Sequence, residues 1–192
     1  MRPVVVAAPL AQLPNKLAAI APNVCFDSIV GRNVLVSELD KAAVVQQLLQ
    51  LLQPLGVLVL AENLTRHTQR LYRLLDATKL DAKLSERLAM AEEEIYANPV
   101  DPMVNWDVED LRLALTATGV KVTIRVEHYP TRLYVSPDLF NRWFSANTAD
   151  SKRPAYVEYL SRYLSASEIS LVRALFERSL LNRTVDWSST VA

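Results

Sequence analysis

The sequence is poor in glycine, cysteine and histidine, and each shortage excludes a kind of site. The three glycines, Gly31, Gly56 and Gly119, are isolated, so no glycine-rich loop can bring the backbone close to a cofactor. The one cysteine excludes an internal disulfide framework and a cysteine-rich zinc site, and it fits a reducing compartment. His67 and His128 have no cysteine or carboxylate at ligand spacing, so we predict no metal site.

Net charge and long apolar runs are also missing. Lys+Arg and Asp+Glu both number 21, so no overall basic field attracts nucleic acid. No stretch approaches the roughly 20 continuous apolar residues that span a bilayer, and we expect a cytoplasmic protein with no membrane partner. The opening MRPVVVAAPLA has the arginine and apolar run of a signal peptide. Because the run is short and Pro9 interrupts it, we interpret Val4–Ala8 as a buried strand instead.

What the chain does have is apolar sequence, 51% of its 192 residues, in alternating strand and helix patterns. A strand, a helix and a strand with short links predict a βαβ unit, and all-apolar strands predict a parallel sheet covered on both faces. Pro54-Leu55-Gly56 is expected to break the central helix. We expect the first strand to pair in parallel with the second and to form an apolar sheet edge, open to dimerisation or to further strands. The predicted strands are Val4–Ala8, Phe26–Val30 and Val57–Ala61, and the helices are Leu10–Ile20 and Glu38–Gln53.

Helix caps and a possible hairpin organise the rest of the chain. Asp107 with Asp110 predicts a helix start, and Gly119 its end. Lys121–Tyr129 and Arg132–Val135 are expected to form a hairpin around Pro130. Further helices are predicted at Thr65–Ala77, at Ala82–Ala97, after Ser136-Pro137, over residues 153–164, and after the capping box Ser165–Glu168.

The tail is therefore expected to be helical. We divide the chain into an α/β region, residues 1–136, and a helical appendage, residues 137–192, packed on it. Trp143, Phe144 and Phe176 are expected to pack together and to dock the appendage.

Two stretches carry a resemblance to a known family. FDSIVGRNVL, followed by a helix and LLQPLGVLVLAE, resembles the fourth to sixth motifs of class I S-adenosylmethionine-dependent methyltransferases, with Arg-Asn-Val-Leu most like the chemotaxis-receptor methyltransferases. VVVAAPLAQLP is similar to the family's third strand and adenine-contacting segment. The resemblance covers roughly residues 4–136. It implies a Rossmann-like, methyltransferase-type sheet, partly parallel with an antiparallel hairpin, that lacks the first two strands.

The same resemblance implies where a cofactor would lie and what is missing there. The vestigial cofactor-binding candidates are Ala8, Pro9, Leu10, Arg32 and Asn33. Ala8-Pro9 stands where the family has Asp-Ala or Asn-Ala, and the family's glycine loop and ribose-binding acid have no counterpart. The resemblance thus implies no cofactor for this chain, with S-adenosylmethionine bound only if the upstream half is present. Asn33 is read either as a ligand contact or as a cap of the next helix, and no catalytic residue is assigned.

Three further blocks, AEEEIY (Ala91–Tyr96), NWD (Asn105–Asp107) and RWF (Arg142–Phe144), are similar to the carboxy-terminal extension of cyanobacterial AAA ATPases of the replication-associated recombination type. This similarity implies a fragment of a larger ATPase that acts in DNA replication or recombination. The chain would then be a non-catalytic accessory module packed on the upstream part of its polypeptide or on a homodimer partner. The alternative is part of an active methyltransferase whose cofactor loop lies upstream.

The remaining polar residues are given structural interpretations. Glu92–Glu94 are expected on a solvated helix face, because successive helical residues point in different directions and cannot share a metal. Cys25 is expected in the core, and Asp27 is expected to pair with a neighbouring group. A basic series could follow a phosphate backbone, but such side chains are more often plain surface. That series is Arg66, Arg70, Arg73, Lys79, Lys83 and Arg87.

Overall fold

A computed structural model describes residues 4–147 and 153–192. The first three residues of the opening stretch lie outside this part of the chain. The contacts divide the chain into two units, which alternate along the sequence. The first unit contains the chain up to Asn63, together with Trp106–Val126 and Val191–Ala192. The second unit contains Leu64–Asn105 and Glu127–Thr190.

The described chain is a mixed α/β protein, as predicted. Its α-helices are α1 (Leu13–Ile20), α2 (Lys41–Leu49), α3 (Ala82–Tyr96), α4 (Val108–Thr116), α5 (Pro137–Phe144), α6 (Tyr156–Leu160) and α7 (Ala166–Leu180). Its strands are β1 (Phe26–Arg32), β2 (Leu52–Ala61), β3 (Glu127–Tyr134) and β4 (Thr184–Val191).

The first unit contains the predicted βαβ arrangement. β1 and β2 are parallel, and Val30 is paired with Val59 in a two-stranded sheet. Asp40 begins α2 between them, because its carboxylate accepts the backbone N–H of Ala43 at 2.9 Å. The parallel pair and the helix that joins its strands are therefore confirmed. The expected cover on both faces of the sheet is wrong for the described chain, since Val30, Val57 and Val59 are 76%, 55% and 50% exposed.

The expected first strand is wrong. Val4–Ala8 has no regular secondary structure, and the exposed fractions of Val4 and Val5 are 69% and 91%. The chain goes instead into a 3-10 turn at Leu10–Gln12 that leads into α1, where the Leu10 carbonyl accepts a hydrogen bond from the Gln47 side chain. An apolar run records strand propensity but does not identify a pairing partner. Nothing in the described chain pairs with the outer edge of β1.

Pro54-Leu55-Gly56 does not separate the helix from β2. These residues lie inside β2 as an irregularity, since Phe26 pairs with Leu52 whereas Ser28 already pairs with Val57. Leu55 has a φ of 68° and a fully exposed side chain. A left-handed backbone is strained at a bulky residue such as leucine, whereas glycine would adopt it without strain.

The second unit has the large hydrophobic core. Trp143 and Phe144 on α5 both contact Phe176 on α7, with ring centroids 6.3 and 5.9 Å apart, so the predicted aromatic cluster is confirmed. Helices α3, α5 and α7 supply most of the buried residues of this core. The most deeply buried members are Leu88, Ala91, Val135, Leu160, Val172 and Phe176.

Two expected elements of the second unit are wrong. Thr65–Ala77 is not a helix but contains 3-10 turns at Thr65–His67 and Leu71–Leu74, with a third at Ala77–Lys79. The prediction relied on the helical spacing of the leucines. In the structure, Glu92 of α3 accepts the backbone N–H groups of Leu71 and Tyr72, which would bond within the segment if it were an α-helix. Tertiary hydrogen bonds thus override local propensity here.

The expected hairpin around Pro130 does not form either. Residues 121–126 have no regular structure, and β3 runs straight through Pro130. Its partner is β4, which the sequence analysis did not predict. Val135 exchanges hydrogen bonds with Asn182 and Arg183 at one end, and His128 contacts Thr190 at the other, so the pair is antiparallel.

The helical tail is confirmed for α5, α6 and α7, since α6 lies within the helix predicted over residues 153–164, and the structure adds β4 to it. Ser136 and Ser165 cap α5 and α7 as predicted, and Asp107 with Asp110 forms the predicted capping box of α4. The sequence analysis divided the chain once, at residue 136. The contact units alternate along the chain, and residues 137–190 belong to the same unit as Leu64–Asn105.

Candidate functional site

The carboxyl ends of β1 and β2 lie side by side in the first unit, which is where open α/β sheets bind ligands. Asn33 follows β1 in a left-handed conformation, with a φ of 53°. Its backbone N–H donates to the carbonyl of Ala61, and its side-chain oxygen accepts the N–H of Asn63 at 3.1 Å. Asn33 therefore joins the two strand ends and does not cap α2, which is capped by Asp40.

Glu62 is the central polar residue at this edge, and it follows β2 directly. It is 1% exposed, and its two carboxylate oxygens accept the N–H groups of Val34 and Leu35 at 2.8 and 3.0 Å. Burial raises the pKa of Glu62 above its ordinary value, although these backbone bonds and the charge of Lys41 oppose the shift. The carboxylate thus holds the loop that leaves β1 against the end of β2.

Lys41 and Trp106 lie close to this carboxylate group. Lys41 is 8% exposed, donates to the carbonyl of Glu38 at 2.8 Å, and lies 4.8 Å from the centre of the Trp106 ring. Burial lowers the pKa of Lys41, while attraction to Glu62, Glu38 and Asp110 opposes that shift. The indole N–H of Trp106 is buried and has no hydrogen-bond partner in the described chain. A positive charge over an aromatic face is stabilised by the ring quadrupole.

An apolar cavity of about 820 Å³ adjoins Glu62 in the same unit. Its walls are formed by β2, by residues of α2 and α4, and by the irregular segment 120–125. The part of β2 that lines it includes the outer edge, which is the edge that faces away from β1. Ala192 also lines it. Apolar side chains such as Leu58, Leu60 and Leu111 dominate the walls, so the cavity suits an apolar group or an extended segment more than a charged cofactor.

The structure gives the five candidate residues different surroundings. Arg32 ends β1 and Asn33 follows it, and both residues are exposed. Ala8, Pro9 and Leu10 precede α1. Across the described residues, no hydrogen bond, ion pair or ring contact joins these three to Arg32 or Asn33.

Sequence reasoning missed Glu62, Lys41 and Trp106. A charged residue directly after an all-apolar strand is the one local signal that could have identified Glu62. Lys41 occupies an ordinary first-turn position, and nothing in the NWD block shows that Trp106 is buried.

Two expectations about single side chains are wrong. Glu92 does not lie on a solvated face, since it is fully buried and accepts hydrogen bonds from the Tyr156 hydroxyl at 3.0 Å and from two backbone N–H groups. Burial raises its pKa. Glu93 and Glu94 each pair with a different arginine, Arg70 and Arg162. Cys25, expected in the core, is exposed.

A second cavity, of about 510 Å³, lies in the second unit and is called here the basic cavity. In the helix predicted over Thr65–Ala77, the arginines would have formed a row along one face. The 3-10 turns that replace it place three arginines around this cavity. Its polar lining includes Arg66, His67, Arg70, Arg73, His128 and Thr190. Over residues 4–147 and 153–192, no three His, Cys, Asp or Glu side chains are grouped as metal ligands.

Family models and curated proteins add no relative to these observations. No protein-family model matches the chain, and no curated protein matches it significantly. Over the described residues, the architecture defines the class as mixed α/β, with one parallel and one antiparallel strand pair. In the part of the chain that the structure describes, no helix has the length and apolar character needed to cross a membrane.

Proposed function

We propose that this chain is a non-catalytic accessory module that packs against further strands of a larger polypeptide, of the AAA ATPase type that its AEEEIY, NWD and RWF blocks resemble. In that context it would serve DNA replication or recombination. One observation carries the proposal: the parallel sheet of the first unit is open on one face and along the outer edge of β2. The parallel unit of β1, α2 and β2 is compatible with such a module, since a fold does not carry its activity with it.

The open face consists of aligned valines. Val30, Val57 and Val59 are 76%, 55% and 50% exposed, and Val30 is the direct partner of Val59. Parallel sheets are ordinarily covered on both faces. Full burial of a valine contributes about 1.5 kcal/mol or more, so a segment that covered this face would gain several kcal/mol.

The outer edge of β2 has a defined direction for an added strand. Glu62 and Ala192 exchange backbone hydrogen bonds of 2.9 and 3.0 Å, and Asn63 forms an antiparallel bridge with Val191. The backbone N–H and C=O groups of successive strand residues point to opposite edges of the strand. Those of Leu58 and Leu60 therefore point to the same outer edge as those of Glu62. No described strand pairs with them there, and that edge lines the apolar cavity.

The occupant that fits this edge is an extended apolar segment of the larger polypeptide. It would run antiparallel to β2 in the register that Glu62 and Ala192 begin. The cavity of about 820 Å³ has room for the side chains of such a strand. A second copy of the chain is the competing occupant, and the experiment below distinguishes the two.

The strand ends favour packing over catalysis. Both oxygens of Glu62 and the side-chain oxygen of Asn33 accept backbone N–H groups of the same unit. Their hydrogen-bonding capacity therefore serves the connection between β1 and β2, whereas a methyltransferase site needs polar groups directed at its cofactor.

The mass of the natural polypeptide is the first test. An antibody against this chain should detect, in the source cells, a polypeptide clearly larger than 21.5 kDa. A single band at 21.5 kDa would show that no larger polypeptide exists. Methyl transfer from S-adenosylmethionine by the larger polypeptide would contradict a non-catalytic role.

The second test places a charge on the open face. Val57→Lys should be tolerated in the isolated chain but should lower the melting temperature of the larger polypeptide, where a covering segment would bury the ammonium group. Leu171→Lys is the matched control, because Leu171 in the second unit is also 55% exposed. Equal tolerance of both variants in both proteins would refute the covered face. Concentration-dependent dimerisation that Val57→Lys abolishes would instead identify a second copy as the occupant.

A further inference from the structure

The basic cavity carries an inference that does not depend on the proposed function. We propose that it binds the phosphate group of a nucleotide or of a nucleic-acid chain. The cavity lies wholly within the second unit, and its lining includes Arg66, Arg70 and Arg73 together with His67 and His128.

The charge balance of the cavity is positive. No carboxylate side chain is among its described lining residues. The charge of Arg70 is offset by Glu93, whose carboxylate lies 2.9 Å from the guanidinium. Within the described chain neither Arg66 nor Arg73 forms an ion pair. Arg73 contacts the ring and hydroxyl of Tyr72, and the charges of Glu93 and Glu92 attract it without pairing with it. Two guanidinium groups are therefore available for an anion.

The groups around the cavity are held in place by their neighbours. Arg70 stacks 3.7 Å from the centre of the Tyr96 ring, and its guanidinium donates to the carbonyl of Arg66 at 3.1 Å. This contact fixes the turn that carries Arg66 and His67. A cavity whose donors are already positioned loses less entropy when a ligand binds.

The opposite wall is fixed by side chains of the β3–β4 pair. The Thr190 hydroxyl lies 3.0 Å from Nδ1 of His128 and donates to the carbonyl of His67 at 3.4 Å. Gln69 accepts the N–H of Ser188 at 3.0 Å, which ties the loop to β4. Both walls thus present polar groups at the ends of ordered elements.

Phosphate fits this donor set better than other anions or apolar ligands do. A guanidinium offers a planar fork of N–H donors that binds phosphate oxygens in pairs, and several donors are needed for a dianion. A volume of about 510 Å³ lies in the range of small-ligand sites and accommodates a phosphate with part of its ester. The polar lining disfavours an apolar ligand.

Calorimetric titration of the chain with inorganic pyrophosphate, adenosine triphosphate and a single-stranded oligothymidylate tests the proposal. We expect binding of at least one probe, and a loss of affinity of about tenfold or more in Arg66→Gln and in Arg73→Gln, because each removes a charge-assisted donor. Arg70 is left intact because its contacts with Glu93 and Tyr96 support the fold. Arg178→Gln, an exposed arginine on α7, is the control and should leave affinity unchanged.

The probes also distinguish the source of the phosphate. Tight binding of the triphosphate with no binding of the oligonucleotide indicates a nucleotide, and tighter binding of the oligonucleotide with a steep salt dependence indicates a nucleic-acid chain. Both results support the site if Arg66→Gln and Arg73→Gln weaken them. The proposal is overturned if no probe binds, or if Arg178→Gln reduces affinity as much as the cavity variants do.

Discussion

Single residues in this protein often connect segments that are far apart in sequence. Glu62 holds Val34 and Leu35, and Glu92 holds Leu71 and Tyr72. Each buried carboxylate accepts backbone N–H groups that would otherwise donate to carbonyl groups within a helix or a sheet. Such groups are costly to bury alone and favourable when both oxygens accept hydrogen bonds.

Removal of the Glu62 carboxylate should destabilise the first unit. In Glu62→Ala the N–H groups of Val34 and Leu35 lose their acceptors, and each buried, unpaired donor costs about 1 to 3 kcal/mol. We expect the free energy of unfolding to fall by about 2 to 4 kcal/mol in urea titrations. Glu109→Ala, at an exposed carboxylate, is the control and should change it little. Coincident midpoints for Glu62→Ala and the parent would show that water replaces the carboxylate.

The ion pair of Arg87 and Glu168 makes a prediction about pH. The hydrogen bond from Arg87, together with those from Ser165, lowers the pKa of Glu168 to about 2 from an ordinary value of 4.5. Since the folded-state value is the lower one, the stabilisation is present above pH 4.5 and is lost as the pH falls through about 2.

Carbon-detected NMR titration of the Glu168 carboxyl group measures this pKa directly. In Arg87→Met it should rise part of the way towards 4.5, because the Ser165 bonds remain. If the pKa of Glu168 were the same in Arg87→Met as in the parent, the hydrogen bonds from Ser165 alone would account for its lowering.

Local signals at this scale were predictable, and distant ones were not. Asp107, Ser136 and Ser165 were identified as caps because a cap and its N–H partner lie within three residues. The partners of Glu62 and Glu92 lie more than twenty residues away in most cases. A sequence pattern does not contain those contacts.

At the scale of elements, helices with strong periodicity matched their predictions and short or strand-like segments did not. α3 and α7 follow the predicted apolar spacing closely. The segment Thr65–Ala77 has similar spacing, but its N–H groups bond to α3 instead. Val4–Ala8 has strong strand propensity and no strand partner in the described chain.

The bulge in β2 should be improved by one substitution. Leu55 has a φ of 68° and contributes no buried surface, so Leu55→Gly should relieve about 1 kcal/mol of backbone strain, part of which the greater freedom of the unfolded chain offsets. We expect a small rise in melting temperature. Leu39→Gly is the control, because Leu39 is 85% exposed without a positive φ, and it should be slightly destabilising. Equal losses in both variants would contradict the strain.

At the scale of the whole molecule, the resemblance to methyltransferases leads to a binding prediction. The chain has no glycine-rich loop, and the polar groups of Glu62 and Asn33 are engaged within the first unit. Each missing charge-assisted hydrogen bond to a cofactor is worth about 1.5 to 3 kcal/mol, or one to two decades of affinity.

We therefore expect no micromolar binding of S-adenosylmethionine by the isolated chain. Isothermal titration calorimetry measures this, with an intact S-adenosylmethionine-dependent methyltransferase as the positive control. Micromolar affinity would show that the present residues suffice for a cofactor site and would favour the alternative function.

The alternating arrangement of the two units was beyond sequence analysis, and it affects how the chain folds. The βαβ segment is complete at Ala61, but Trp106–Val126 belongs to the same unit and follows the first part of the second unit. During synthesis the ribosome releases β1 and β2 long before Ala192, whose backbone closes the ladder with Glu62. Closing so long a loop costs entropy that only late contacts recover. The sheet of the nascent chain must therefore avoid aggregation while its valine face is exposed. A chaperone that binds short apolar segments would bind first at Val30, Val57 and Val59.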